Sequence, residues 1–188
     1  ACEQYAAETG AVFIPPYENY FIIAGQSTIA VEVLEALPET TAIIVPVGGG
    51  GLISGIAFVA KQIKPDIRIY GVQSEAAPGM VESIKAGHPV TVPERSTLAD
   101  GIHVARPGDI TFEFARKFVD GFVTVSEEQI SEAMRMLMME ERIVVEGASC
   151  VTVAALMNDL LPITPEDKVV CIISGGNVHT STFAHILD

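Results

Sequence analysis

Four consecutive glycines separate two apolar segments in the stretch VPVGGGGLISG, residues 45–55. Glycine loses more backbone entropy on ordering than any other residue, so such a run between core-like segments indicates a specific structural or functional requirement. Residues 42–47 are rich in β-branched side chains and are predicted to form a buried strand, whereas residues 52–63 have the composition of a helix that ends before Pro65. The order strand, glycine loop, helix predicts an α/β fold.

Strand-like and helix-like segments alternate along the rest of the chain. Further strands are predicted at residues 67–72, 121–125 and 168–173, and helices at residues 1–9, 27–37, 77–86, 109–119, 126 onward and 147–160. The helix from residue 126 begins with a capping-box pattern, Ser126 to Gln129. Because several strands are apolar throughout, the pattern predicts a three-layer α/β fold, with a mostly parallel twisted sheet and helices on both faces.

Charge and hydropathy exclude several classes of partner. The chain has 24 acidic and 11 basic residues, a net charge of −13, and no basic cluster, so we expect no nucleic-acid binding. Its apolar runs are shorter than a membrane span, so we expect no membrane association. These features are typical of a cytoplasmic protein.

The sequence gives little support to a metal site or a disulfide. The three cysteines, Cys2, Cys150 and Cys171, are scattered without a CxxC spacing, so we expect free thiols, with Cys171 buried in a strand. The four histidines form no zinc-binding pattern, so no metal is expected.

The glycine loop has the features of an anion site. The first amides of a helix have no partner within it, and the helix dipole adds partial positive charge at that end. Glycines also let a ligand approach the backbone closely. No Lys or Arg lies between residues 42 and 60, so a phosphate would be held mainly by neutral N–H groups. The structural alternative is a tight turn with close helix packing, for which one or two glycines would be enough.

The kind of phosphate ligand is narrowed by the neighbouring residues. A Walker A loop requires Lys after its last glycine, but Gly55 is followed by Ile56. A dinucleotide fingerprint is nearly met, since Ser54 stands in place of its third glycine and Glu75 lies near the end of the next strand. Dinucleotide binding therefore stays an alternative.

A second glycine-containing exit follows the last predicted strand. Ser174-Gly175-Gly176-Asn177 comes directly after residues 168–173. Ligands of open α/β sheets bind at the carboxyl ends of strands, so two such exits could flank one flat cofactor. The first would hold its phosphate, and the second would bring the Ser174 hydroxyl to its ring. Alternatively, Ser174 caps a turn.

Several segments occur in the order found in one enzyme family. VPVGGGGLISGIA, GVQSE, TLADGI, VTVSEEQI and ISGGNV make the chain resemble the pyridoxal-phosphate threonine/serine dehydratases (ammonia-lyases, fold type II) over essentially its whole length. Serine racemases share much of this pattern. The resemblance implies a tryptophan synthase beta-like fold, with residues 1–14 as the tail of a small domain and residues 15–188 as the large cofactor-binding domain. It also implies dehydration and deamination of L-threonine or L-serine to a 2-oxo acid and ammonia.

The resemblance further implies which residues bind the pyridoxal phosphate. Ser174 would hydrogen-bond the pyridine nitrogen, and because a hydroxyl leaves that nitrogen largely unprotonated, it would suit β-elimination. Gly101 and Glu146 would line other edges of the cofactor, although Glu146 by itself reads as a solvated charge. The phosphate would be bound by Gly48, Gly49, Gly50, Gly51 and the amide of Leu52.

The catalytic lysine of the family is not found in this sequence. In the family it forms the Schiff base from an upstream SFKxRG-like segment, which none of Lys61, Lys64, Lys85, Lys117 and Lys168 matches. We therefore expect no catalytic residue here, no turnover by this chain alone, and association with the missing N-terminal segment or as a homo-oligomer. A serine racemase-like enzyme and a non-catalytic assembly module stay as alternatives. Some racemase-like members bind a cation after the GVQ strand, where only Glu75 offers a carboxylate here, so no metal site is expected.

Overall fold

The computed structural model describes residues 1–93 and 95–187, as a parallel sheet covered by helices. The strands are β1 (Ala42–Pro46), β2 (Arg68–Ser74), β3 (Gly121–Val125) and β4 (Val169–Cys171). The helices are α1 (Cys2–Thr9), α2 (Tyr20–Ala36), α3 (Gly51–Ile63), α4 (Gly79–Ala86), α5 (Asp109–Phe118), α6 (Glu127–Met139), α7 (Gly147–Met157) and α8 (Thr180–Leu187), with a 3₁₀ turn at Asp100–Ile102.

The order of the strands creates a switch point beside β1. The sheet order is β3-β2-β1-β4 and all three pairings are parallel, with Ala42 opposite both Arg68 and Val169. The chain runs from β1 through β2 to β3 in one direction and then crosses back to β4 on the other side of β1. In open parallel sheets this reversal leaves a crevice at the carboxyl ends of the two diverging strands, here β1 and β4.

Both faces of the sheet are buried, which confirms the predicted three-layer α/β architecture. On β1, Ile43 and Val45 point to a cluster that includes buried residues of α2, α3, α4 and α5. Ala42 and Ile44 point to the other cluster, formed with α6, α7 and α8. Alternate residues of a strand face opposite sides, so a strand covered on both faces is apolar throughout.

The helix predicted at residues 27–37 instead begins at Tyr20. The Asn19 side chain accepts the Phe21 N–H at 2.8 Å and so caps the helix seven residues earlier. Gly25 therefore lies inside α2. The first turns of α2 are held against α3, where a Cβ on Gly55 would overlap the Ile23 carbonyl. Close helix packing at Gly55, which sequence periodicity does not reveal, outweighs the low helix propensity of Gly25.

Most other elements fall within a few residues of their predicted bounds. β3 and the capping box of α6 are confirmed, and Gly87 ends α4 with φ +77°, in the left-handed region. α7 ends at Met157 rather than at residue 160, and α8 was not predicted. Cys2, Cys150 and Cys171 are free thiols. Cys171 is half-buried rather than fully buried because β4 is an edge strand.

The amino-terminal segment packs little against the rest of the chain. α1 buries none of its residues, and the following apolar side chains Val12 and Ile14 are 86% and 68% exposed. Among the residues described here, no helix is both long and apolar enough to cross a membrane.

Candidate functional site

A cavity of about 310 Å³ lies where the chain leaves β1 and β4. Its volume is at the lower end of the range for small-molecule sites, roughly 300–1,000 Å³. Its walls come from the glycine loop, the 3₁₀ turn, the exit of β4 and the segment before α2. The lining residues include Gly48, Gly49, Gly50, Gly51, Leu52, Gly101, Ile102, Val104, Ser174, Pro16 and Tyr17.

The glycine loop presents unpaired backbone N–H groups. In the described part of the chain, the amides of residues 48–53 find no acceptor, and the Ser54 N–H makes the first bond of α3, to the Gly50 carbonyl at 3.0 Å. Gly50 caps α3 with φ +98°, a left-handed conformation that favours glycine. Unpaired amides at a helix start, reinforced by the helix dipole, form an anion-binding site.

The cavity walls explain why these positions carry no side chain. A Cβ on Gly48 would lie 3.2 Å from Ile102 Cα, and one on Gly51 would lie 3.0 Å from Tyr17 Cα. A Cβ on Gly49 would overlap the Tyr17 ring. Close packing therefore accounts for part of the glycine requirement, and the unpaired amides add the capacity to bind a ligand.

Ser174 brings a neutral hydroxyl to the same cavity. It follows β4 directly, is exposed, and its Oγ lies 3.5 Å from the Oγ of Ser149 in α7. The cavity therefore joins a set of anion-binding amides to one uncharged hydrogen-bonding side chain. This combination suits a phosphate ester that carries a flat polar ring.

Gly101 and Glu146 lie next to each other, but only Gly101 lines the cavity. The Glu146 side chain is half-buried and accepts the Asn177 N–H at 3.0 Å, while its backbone N–H donates to the Gly175 carbonyl at 3.3 Å. A Cβ on Gly101 would lie 3.1 Å from Glu146 Oε1. Glu146 thus packs between the 3₁₀ turn and the loop after β4, and it supports the cavity wall.

Among the described residues, none that lines the cavity is a Lys, Arg or His. The lysines form contacts elsewhere: Lys61 pairs with Asp120 at 2.8 Å, Lys85 pairs with Glu82 at 2.8 Å, and Lys64 donates to the Thr40 carbonyl at 2.7 Å. An anion in the cavity would therefore be held by neutral donors and by the dipole of α3.

A larger hollow, of about 670 Å³, is a weaker candidate site. It lies between residues 96–98 and the start of α6, and Glu127, Glu128 and Glu132 line it. The Glu127 carboxylate is already occupied, since it accepts the Thr97 hydroxyl at 2.6 Å and the Leu98 N–H at 2.7 Å. This hollow is away from the strand ends that form the switch point.

Two residues at the site were not identified from the sequence. Tyr17 lines the cavity and covers Gly49, and the buried Thr111 donates its hydroxyl to the Gly49 carbonyl at 2.6 Å. Tyr17 follows Pro15 and Pro16, and a proline pair in a sequence indicates only a break in regular structure. Thr111 carries no signal, because its partner lies 62 residues away in the sequence.

Solved structures resemble the chain closely. The processed form of threonine deaminase isoform 2 from Solanum lycopersicum superposes with a TM-score of 0.91 at 35% identity, over 98% of this chain and 54% of that one. Maize serine racemase superposes with a TM-score of 0.89 at 36% identity, over 98% of this chain and 57% of that one.

Curated relatives of the chain include threonine ammonia-lyases and threonine dehydratases. The L-threonine ammonia-lyase of Thermotoga maritima is 44% identical over 96% of this chain and 45% of its own length. The catabolic L-threonine dehydratase TdcB of Escherichia coli K12 is 46% identical over 94% of this chain and 54% of its own length. The chain thus spans about half the length of the curated relatives it matches.

The sequence model of one enzyme family matches most of the chain. That family is described as pyridoxal-phosphate dependent enzymes, and the match covers residues 1–175, from α1 to Gly175 beyond β4. Both strand exits that form the cavity lie within these residues, apart from the last two residues of the second. The chain therefore belongs to the family of pyridoxal-phosphate dependent enzymes.

Proposed function

We propose that this chain is the cofactor-binding part of an enzyme that converts L-threonine to a 2-oxo acid and ammonia. One observation carries the proposal: the unpaired amides of residues 48–53 and the Ser174 hydroxyl meet in one cavity, in a chain of this family. The choice of threonine is supported by relatives that are named L-threonine ammonia-lyase and L-threonine dehydratase.

In this proposal the glycine loop holds the phosphate of pyridoxal phosphate. The donors are the N–H groups of Gly48, Gly49, Gly50, Gly51 and Leu52. They need no rearrangement to act together, because the first turn of α3 already leaves them without acceptors. Each contact of an anion with a helix terminus contributes only about 1 kcal/mol, so several donors in one cradle are needed.

Ser174 would hydrogen-bond the ring nitrogen of the cofactor. Bound pyridoxal phosphate supplies an electron sink for the charge left on the substrate when its α-proton departs. The Ser174 side chain is uncharged and therefore does not stabilise a proton on that nitrogen, as a carboxylate would. Glu146, held by the Asn177 N–H, would keep the loop after β4 and Gly101 in place at the cofactor edges.

We also propose that residues 15–188 are the large cofactor-binding domain and that residues 1–14 are the tail of a small domain. The exposure of Val12, Phe13 and Ile14 supports this division, since three consecutive exposed apolar side chains form a patch of the kind that marks an interaction surface. The covering partner would be the segment that carries the catalytic lysine or a second copy of the chain.

Serine racemisation is the second candidate function. Maize serine racemase superposes on the chain with nearly the same TM-score as the tomato deaminase, and this similarity supports racemisation as an alternative. Membership of the pyridoxal-phosphate family supports this cofactor over a dinucleotide as the ligand of the glycine loop.

Steady-state assays with pyridoxal phosphate test the proposal. The chain is assayed alone and co-expressed with the part of the Escherichia coli relative that it does not match, with L-threonine and L-serine as substrates. We expect ammonia and 2-oxobutanoate from L-threonine only when a lysine-bearing partner is present. Turnover by the chain alone would contradict the assignment of no catalytic lysine. Formation of D-serine without ammonia would favour the racemase.

A further inference from the structure

The glycine loop is held from one side by the first turn of α5. The buried Thr111 donates its hydroxyl to the Gly49 carbonyl at 2.6 Å, and the Gly108 N–H approaches the same oxygen at 3.4 Å. The Thr111 hydroxyl has a second possible acceptor, the Gly108 carbonyl, at 3.2 Å. The hydroxyl has one proton, and the shorter distance identifies the Gly49 carbonyl as its main acceptor.

This contact fixes the direction of the Gly50 N–H. A trans peptide is planar, so the carbonyl of Gly49 and the N–H of Gly50 point in opposite directions. With the carbonyl turned toward Thr111, the N–H points away from α5. Gly50 lines the cavity, and its N–H has no acceptor in the part of the chain that the structure describes.

The same peptide would turn over easily without such a contact. Neither Gly49 nor Gly50 has a Cβ, so positive and negative φ are about equally accessible to both. A flipped peptide would present the Gly49 carbonyl oxygen, which is partly negative, where an anion should bind. The glycines that open the loop to a ligand therefore also create a need for an external hydrogen bond to hold it.

The position of Thr111 is itself fixed by Glu18. The half-buried Glu18 carboxylate accepts the Ile110 N–H at 2.7 Å and the Thr111 N–H at 3.4 Å, and so caps α5 from a distant segment. Glu18 follows Tyr17, whose ring covers Gly49. The segment that closes one side of the cavity thus also anchors the helix that orients the glycine loop.

We propose that Thr111 is a positioning residue that sets the Gly49–Gly50 peptide for phosphate binding, with Glu18 holding the turn of α5 that carries it. This inference rests on the proposed function, because the phosphate is that of the cofactor. In this proposal, the orientation of the Gly49–Gly50 peptide depends on Thr111, a residue outside the four glycines.

Calorimetric titration of the chain with pyridoxine 5′-phosphate and with pyridoxine tests the proposal. Neither compound has an aldehyde, so neither can bond covalently to a lysine, and the ratio of their dissociation constants isolates the contribution of the phosphate. Three variants are compared with the wild type: Thr111→Val removes the hydroxyl at nearly constant shape, Thr111→Ser keeps it, and Thr40→Val is the matched control. Thr40 is equally buried and donates to the Leu37 carbonyl at 2.7 Å, before β1 and away from the cavity.

We expect Thr111→Val to weaken pyridoxine 5′-phosphate about tenfold, the effect of losing one hydrogen bond, with pyridoxine unaffected. Thr111→Ser and Thr40→Val should stay near the wild-type ratio. An unchanged ratio in Thr111→Val, or an equal loss in Thr111→Ser, would overturn the proposal. If Thr111→Val does not fold, Glu18→Ala replaces it, because alanine has no side-chain acceptor for the Ile110 and Thr111 N–H groups. A selective loss of phosphate affinity in Glu18→Ala would support the proposal, and no loss would overturn it.

The two dissociation constants of the wild-type chain separate a failure of this proposal from a failure of the proposed function. A wild-type chain that binds both compounds equally would overturn the proposed phosphate site and with it the role of Thr111. A wild-type chain that prefers the phosphorylated compound, with no change in Thr111→Val, would overturn only the role of Thr111.

Discussion

Within the glycine loop, Gly50 alone has a left-handed backbone conformation. Its φ is +98°, and a Cβ there would lie 2.8 Å from Met80 Cε and 2.9 Å from Thr111 Cβ. Two separate effects therefore exclude a side chain at Gly50. One is the backbone conformation, and the other is contact with buried neighbours.

Gly50→Ala is expected to lower the free energy of unfolding by about 2–3 kcal/mol. About 1–2 kcal/mol comes from the left-handed backbone and the rest from the contacts with Met80 and Thr111. Gly87→Ala is the control, because Gly87 also has positive φ, +77°, but nothing lies within 4 Å of its Cβ position. Urea unfolding measures both variants. Equal losses would show that packing around Gly50 contributes nothing.

The Cys150 thiol gives the chain a measurable dependence on alkaline pH. Its burial raises its pKa from 9.0 to about 12, against a smaller lowering by a backbone hydrogen bond. Well below pH 9 the thiol is protonated in both the folded and unfolded states, so its full contribution to stability is present. Above that pH the unfolded chain loses the proton first, and stability falls until the folded thiol also ionises.

Between pH 9 and about pH 10.5 the wild type should lose stability more steeply than Cys150→Ala. The difference in slope should rise from about 0.7 kcal/mol per pH unit at pH 9, where half of the unfolded thiols are ionised, toward about 1.4 kcal/mol per pH unit, the contribution of one proton. Urea unfolding at several pH values measures both slopes. Identical slopes would show that the Cys150 thiol ionises as readily in the folded chain as in the unfolded one.

At the scale of single residues, a functional position can be predicted from the sequence when its residue type is unfavourable for folding. Four glycines in a row are expensive to order, so Gly48 to Gly51 could be selected without a structure. Thr111 could not, because a threonine is ordinary at the start of a helix and its carbonyl partner is 62 residues away. Tyr17 is a similar case, since its contact with Gly49 depends on how the segment before α2 folds back.

At the scale of elements, local signals predict where helices begin when all the partners are close in sequence. The capping box of α6 is such a case: Ser126 Oγ accepts the Gln129 N–H at 3.3 Å, and Gln129 Oε1 accepts the Ser126 N–H at 2.9 Å. α2 also has a local cap, Asn19, but the helix continues through Gly25 because its first turns pack against Gly55 of α3, and that contact is non-local. The cap of α5 by Glu18 is non-local as well.

Ser126→Ala is expected to destabilise the chain by about 1 kcal/mol, the typical cost of losing an N-cap side chain. Ser131→Ala is the matched control, because Ser131 lies inside α6, where alanine is the better helix former and should be neutral or slightly stabilising. Thermal unfolding compares the two variants. A loss in Ser131→Ala as large as that in Ser126→Ala would mean that the cap is not the cause.

At the scale of the whole molecule, the architecture follows from the apolar strands and the position of the site follows from the strand order. Strands that are apolar on both faces require helices on both sides, so the three layers could be predicted. The strand order could not be predicted from strand composition, because pairings between β1 and β4 join residues more than a hundred positions apart. The sequence predicts that the two glycine-containing exits could flank one ligand, and the structure shows that they meet at the switch point.

The central claim is that backbone amides of the glycine loop bind the phosphate of pyridoxal phosphate. The most direct test is to titrate the ¹⁵N-labelled chain with pyridoxal phosphate and to follow the amide resonances. We predict saturable shifts at Gly48, Gly49, Gly50, Gly51 and Leu52, with Gly10 and Gly87 unchanged. Shifts that appear only outside the glycine loop, or no saturable shift within it, would contradict the account.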